Sequence, residues 1–176
     1  KGVLPKIVVP VHFAGQPCEM GKLHELSNKF GFKVIEDASH AIGSSHQDYR
    51  TGSCKYSDIT VFSFHPVKLI TTAEGGMVVT NNPQIAKKVR LLRSHGIDKE
   101  KKHFDDCLEQ GDWFYEQTEL GFNYRLTDIQ AALGISQLKR LDSFVQARHR
   151  VKDYYDEVLH DLPVILPHQN PNSYSS

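Results

Sequence analysis

Cysteine is scarce in this chain, and the three present, Cys18, Cys54 and Cys107, are far apart and form no CxxC pair. Such spacing argues against a disulfide framework or a zinc site and fits a reducing cytoplasm. Net charge is absent as well, 21 basic residues balancing 21 acidic ones. Without a basic stripe or an acidic block, nothing marks a nucleic-acid partner. No apolar run is long enough to cross a membrane, and no signal-peptide pattern opens the chain. There is no G-x-G-x-x-G after a strand, which disfavours a dehydrogenase, and no G-x-S-x-G elbow, which disfavours a hydrolase. The ten histidines are scattered, and His40 and His46 lack an HExxH pattern or a third ligand at a recognisable spacing. No metal site is expected.

What remains is an ordinary globular composition over 176 residues, enough for one domain with a sizeable core. Strand-like and helix-like segments alternate. Ile7–His12 is a β-branched run that reads as a buried strand. Glu19–Phe30 has apolar residues at helical spacing and stops at Gly31. Lys33–Asp37 is a second strand ending in two carboxylates, Asp58–Phe64 a third and Met77–Thr80 a fourth. Asn82 caps a helix that Pro83 opens. This alternation predicts an α/β fold with a mostly parallel sheet, whose ligands sit beyond the carboxyl ends of the strands. Asp98–Glu119 is charged and aperiodic and reads as a surface excursion. Thr127–Gln130 is a capping box. Gly134 and its neighbouring alanines predict close packing of the helix that follows. A longer helix from about Asp142 to Leu162 carries an apolar stripe of Phe144, Val145, Val151, Tyr155, Val158 and Leu162. The chain opens almost directly on an apolar run and closes on a loop-like Asn170–Ser176, so it reads as a segment of something longer.

Three stretches carry chemistry. Ser63-Phe-His-Pro-Val-Lys68 leaves a strand end with a hydroxyl, an imidazole and an amine within six residues. Apolar surroundings disfavour a charged lysine, and lowered basicity is what a Schiff-base lysine needs. A solvated surface lysine is the plainer alternative. Asp37-Ala-Ser-His-Ala-Ile-Gly43 places a carboxylate at a strand end, where it can bond a ring nitrogen, bind a metal or cap the next turn. Gly121-Phe-Asn-Tyr-Arg125 precedes a capped helix, a place suited to phosphate or simply to shaping a turn.

Taken together and in order, these stretches resemble the DegT/DnrJ/EryC1/StrS sugar aminotransferases among fold-type I pyridoxal phosphate enzymes. The family's acidic pair and following turn match Glu36–Gly43. Its Ser-Phe segment, with the cofactor lysine five residues after the serine, matches Ser63 and Lys68. Its Thr-x-x-Glu-Gly-Gly turn matches Thr71 or Thr72 through Gly76, and its Leu-Gly-x-Asn-Tyr-Arg segment matches Leu120–Arg125. Ala131–Gly134 and Gln137-Leu138 complete the pattern. The wording around Lys68 is most similar to members that aminate a UDP-linked 4-keto-6-deoxy-N-acetyl-hexosamine in pseudaminic acid synthesis.

The resemblance implies an α/β/α-sandwich large domain, incomplete at both ends. Residues 1–140 would be part of that pyridoxal phosphate-binding domain, and 141–176 a long connecting helix and the start of a small C-terminal domain. It implies that Lys68 holds the cofactor as a Schiff base and shuttles the proton, and that Asp37 keeps the pyridine nitrogen protonated. His40 would approach the ring, and Ser63 would bond the phosphate. Asn123 would reach the phosphate of the neighbouring subunit's cofactor, implying a homodimer with shared sites. Arg125 would meet substrate phosphate. Glutamate is the implied donor and a nucleotide sugar the acceptor. Ala73 departs from the pattern, standing where many relatives have glycine. The missing segments imply that this stretch alone binds cofactor weakly or not at all. Two alternatives stand beside transamination: a sugar dehydratase or aromatizing relative using the same cofactor, and a non-catalytic fragment. Dehydrating relatives often replace the lysine with histidine, so Lys68 favours transamination.

Overall fold

A computed structural model describes residues 2–47, 49–99 and 113–176. It divides into two compact units, residues 1–81 with 128–176, and residues 82–127.

The elements of the first unit begin with β1 (Ile7–Val8), a short 3-10 turn (Phe13–Gly15) and α1 (Met20–Phe30). Next come β2 (Lys33–Asp37), β3 (Ser45–His46), β4 (Tyr49–Arg50), β5 (Ile59–Ser63) and β6 (Gly76–Val79). The main sheet has the order β1-β2-β5-β6. β1 and β5 both pair parallel with β2, and β6 pairs antiparallel with β5. The sheet is thus α/β and mostly parallel, as the sequence predicts. β6 is reversed because the loop from Phe64 to Gly75 folds back on itself and carries no helix, the element that usually makes a parallel crossover.

The first predicted strand is shorter than Ile7–His12. Pro10 has no N–H to give to a ladder, and pairing lapses until an isolated parallel bridge joins Val11 to Asp37. α1 starts at Met20 and ends where Gly31 takes φ 77°, its N–H returning to the Ser27 carbonyl at 2.7 Å. Met20 is fully buried and packs with Phe32, Val34 and Tyr49. A second core gathers Ala38, Ala41, Phe62, Phe64 and Ile70.

In the second unit, α2 (Pro83–Arg93) begins as expected, the Asn82 side chain accepting from the N–H groups of Gln84 and Ile85. β7 (Ile97–Asp98) and β8 (Glu116–Gln117) then pair antiparallel. The ends of the predicted Asp98–Glu119 excursion therefore belong to strands, while its residues 100–112 and Cys107 lie outside the described residues.

The chain returns to the first unit with α3 (Asp128–Leu138), α4 (Leu141–Leu159) and β9 (Ser173–Tyr174). β9 pairs with β3 in a small antiparallel sheet, β4-β3-β9. Gly134 brings α3 against the loop after β5, where a Cβ added to it would lie 2.9 Å from Thr72 Cγ2. The close packing read from the sequence is met here. Leu141 and Val145 at the start of α4 complete the second core. The rest of the predicted stripe, Val151, Tyr155, Val158 and Leu162, is exposed in this chain.

Candidate active site

β2 and β5 run parallel, so their carboxyl ends share one edge of the sheet. Successive side chains of a strand alternate between faces. The register pairs Asp37 with Val61, which puts Ser63, two residues on, on the same face as Asp37. Glu36, Thr60 and Phe62 point to the other.

Asp37 closes β2 and is half-buried. Its Oδ1 accepts the Ser39 N–H at 3.0 Å, so it does cap the following turn. Hydrogen bonding from the Ser39 side chain is the main cause that holds the Asp37 carboxyl below its ordinary value. Burial opposes this, and the charges of His40 and Lys68 add to it. Asp37 is therefore a carboxylate across the neutral pH range, which is what a partner for a protonated ring nitrogen requires.

Lys68 sits in the loop after β5 and is half-buried. A tight turn forms as its N–H donates to the His65 carbonyl at 2.9 Å. The loop closes on itself: the Phe64 carbonyl accepts from Thr72 N–H at 3.0 Å and from the Thr71 hydroxyl at 3.0 Å, and Phe64 N–H reaches Gly75 at 2.8 Å. The Thr72 hydroxyl ties back to the Glu74 carbonyl at 2.8 Å, and Gln130 Nε2 from α3 donates to the same carbonyl at 2.9 Å. The Thr-x-x-Glu-Gly-Gly turn is thus the base that carries the lysine. Ala73, inside it, adopts φ 66°, the left-handed region that glycine favours.

Ser63 ends β5, and its Oγ accepts the His65 N–H at 3.4 Å. His40 is exposed, with its ring centroid 5.9 Å from that of Phe13. Asp37, His40, Ser63 and Lys68 thus all fall in the first unit, at or just beyond the carboxyl edge of β2 and β5. Asn123 and Arg125 belong to the second unit and are exposed. There Asn123 forms an antiparallel bridge with Ser94. Gly121 beside it packs so closely on Gly96 that a Cβ would lie 2.2 Å from the Gly96 nitrogen.

One buried group escapes a reading of the sequence. His12, predicted only as the end of a strand, has no exposed surface, and its Nε2 lies 2.8 Å from Glu36 Oε2. Glu36 is 2% exposed and also accepts from Thr60 Oγ1 at 3.1 Å and from Ser57 Oγ. Burial works to raise the Glu36 pKa, but these donors, His12 first among them, hold it below the ordinary value. The Cys18 N–H points at His12 Nδ1 at 3.2 Å. Burial lowers the His12 pKa, but Cys18 and Glu36 raise it to about 9, while the Cys18 N–H calls for a bare Nδ1; in either form Nε2 carries the proton that Glu36 accepts. The only signal in the sequence is a polar residue closing a β-branched run.

An ionised carboxylate, an amine and a hydroxyl beside the ends of two parallel strands fit pyridoxal phosphate, which has a basic ring nitrogen, an aldehyde and a phosphate. Among the described residues no cluster of three metal-ligating side chains occurs, Cys18 and Cys54 are free thiols, and no helix is long and apolar enough to cross a membrane.

The fold is that of the large-domain scaffold of the fold-type I aminotransferases. The chain belongs to the DegT/DnrJ/EryC1/StrS aminotransferase family, which its residues 4–176 match. It is 44% identical over 147 residues to the UDP-4-amino-4,6-dideoxy-N-acetyl-beta-L-altrosamine transaminase of Campylobacter jejuni, covering 84% of this chain and 36% of that protein. Among solved structures it is similar to Helicobacter pylori PseC, an aminotransferase involved in the biosynthesis of pseudoaminic acid. There the TM-score is 0.77 and the identity 38%, over 88% of this chain and 38% of that one. A Streptococcus pneumoniae sugar aminotransferase in its PLP form matches with a TM-score of 0.79 and 29% identity, over 97% of this chain and 45% of that one. The chain spans less than half the length of these relatives.

Proposed function

We propose that the whole protein is a pyridoxal phosphate-dependent aminotransferase that moves the amino group of glutamate to a nucleotide-linked 4-keto-6-deoxy sugar, in bacterial surface-sugar synthesis of the pseudaminic acid type. The observation that carries this reading is the shared edge: Asp37, Ser63 and Lys68 come together at the ends of β2 and β5. The similarity to the Campylobacter transaminase and to PseC supports the sugar class.

When bound, pyridoxal phosphate supplies an electron sink for the pair left on a carbon that loses a proton. The chain's own residues do the rest. Lys68 Nζ would hold the cofactor through its aldehyde and, as a free amine, would move the proton at the substrate carbon. The Asp37 carboxylate would hold a proton on the ring nitrogen. Ser63 Oγ would bond the phosphate, and the exposed His40 would approach the ring. Asn123 serves the cofactor of a neighbouring subunit, so the working unit is a homodimer with shared sites. Residues 1–140 belong to the cofactor-binding large domain, and 141–176 form the connecting helix and the start of the small domain. In sum, glutamate leaves as 2-oxoglutarate and the 4-keto sugar leaves as the 4-amino sugar.

The experiment is direct. The whole protein is incubated with glutamate and a set of UDP-linked 4-keto sugars, and products are identified by mass and NMR. A 4-amino sugar with an equal amount of 2-oxoglutarate is expected. Bound cofactor with no transfer to any 4-keto sugar contradicts the proposal.

A further inference from the structure

We propose that His12 and Glu36 are positioning residues for Asp37, setting from the opposite face of β2 the strand end that carries the cofactor's carboxylate partner. This rests on the reading of Asp37 given above.

The grip has two parts. Along the backbone, the Asp37 N–H donates to the Pro10 carbonyl at 2.9 Å, and the His12 N–H donates to the Asp37 carbonyl at 3.0 Å. Both backbone groups of Asp37 are thereby held by residues 10–12, which bridge to β2 again after the break at Pro10. Through the side chains, His12 Nε2 reaches Glu36 at 2.8 Å, and the other Glu36 oxygen accepts from Ser57 and Thr60. Three stretches of chain, residues 10–12, β2 and the start of β5, are pinned together at the residue before Asp37.

Stability alone does not call for a polar pair here. A buried polar pair is often no more stabilising than apolar residues of the same volume. What apolar contacts lack is direction. Among the described residues, the Asp37 carboxylate accepts from Ser39, a residue of the same turn, which moves with it. The His12–Glu36 pair ties the strand end to other strands. Placement matters because a 1 Å error in a reacting group can cost about a hundredfold in rate.

The test is a double-mutant cycle on the whole protein, read as the dissociation constant of pyridoxal phosphate and not as turnover. Residues that act through one another are non-additive. His12→Leu should weaken binding by about tenfold when Asp37 is present and by less than about twofold in an Asp37→Ala background. His12→Gln, which keeps a donor for Glu36 and an acceptor for Cys18, should stay within about threefold of the parent. An equal loss in both backgrounds, or none in the parent, overturns the proposal. Should His12→Leu fail to fold, Glu36→Gln is carried through the same cycle with the same criteria. A parent that binds no pyridoxal phosphate sinks the functional reading instead. Amide hydrogen exchange then reads the clamp alone: faster exchange at Asp37 and Ala38 in the variant upholds it, and unchanged exchange refutes it.

Discussion

Asp37 closes β2 and Lys68 follows the end of the neighbouring parallel β5, and the lysine's charge helps hold the Asp37 carboxyl below its ordinary value. Ser39 is the larger influence. Removing either should therefore raise the Asp37 pKa, with Ser39→Ala moving it further than Lys68→Met. Carboxyl 13C NMR across an acid titration reads both. An Asp37 titration unmoved by Ser39→Ala would contradict the assigned cause.

Packing at Gly134 gives a second prediction. A methyl added there meets Thr72 Cγ2 at 2.9 Å, inside contact distance. Gly134→Ala should destabilise by about 1–3 kcal/mol, the usual cost of overpacking. Because Thr72 anchors the loop under Lys68, the variant should also weaken cofactor binding. Thr72→Ser removes the clashing methyl while keeping the hydroxyl that bonds Glu74, so the double variant should recover most of the loss in urea denaturation. A double variant no better than Gly134→Ala would place the strain elsewhere.

Ala73 holds a left-handed conformation, φ 66°, inside the same loop. Side chains with a Cβ pay roughly 1–2 kcal/mol there, against about 0.4–1 kcal/mol for the extra unfolded-state freedom of glycine. Ala73→Gly should be stabilising by up to about 1 kcal/mol, seen as a higher denaturation midpoint. A lower midpoint would mean that the methyl makes contacts that outweigh the strain.

Much of the scaffold is written locally. Val34-Ile35 favours a strand, Gly31 stops α1, and Asn82-Pro83 starts α2, each through the conformational preference of one or two residues. What is not local is not readable in the same way. Pro10 shortens β1 because of a ladder it cannot enter, and β6 turns back because of what is missing between it and β5. The site divides likewise. Lys68, Ser63 and Asp37 stand out through motifs, whereas the His12–Glu36 pair spans 24 residues and exists only once β2 lies beside the segment after Pro10.

Glu36 also fixes a pH dependence. Its folded pKa is lowered from an ordinary value of 4.5, so it contributes stability above that value and loses it as pH falls through the folded pKa. The parent should accordingly lose more stability than Glu36→Gln on acidification below about pH 4.5, as urea midpoints measured from pH 7 to pH 2 will show. Parallel curves for the two proteins would contradict the assignment.

The central claim is that Lys68 carries the cofactor. Borohydride reduction of the whole protein loaded with pyridoxal phosphate locks the lysine–cofactor bond, and peptide mass spectrometry then locates it. The account predicts a pyridoxyl phosphate group on the peptide containing Lys68, and its loss in Lys68→Ala. The same group found on another lysine, or on none with cofactor bound, would contradict it.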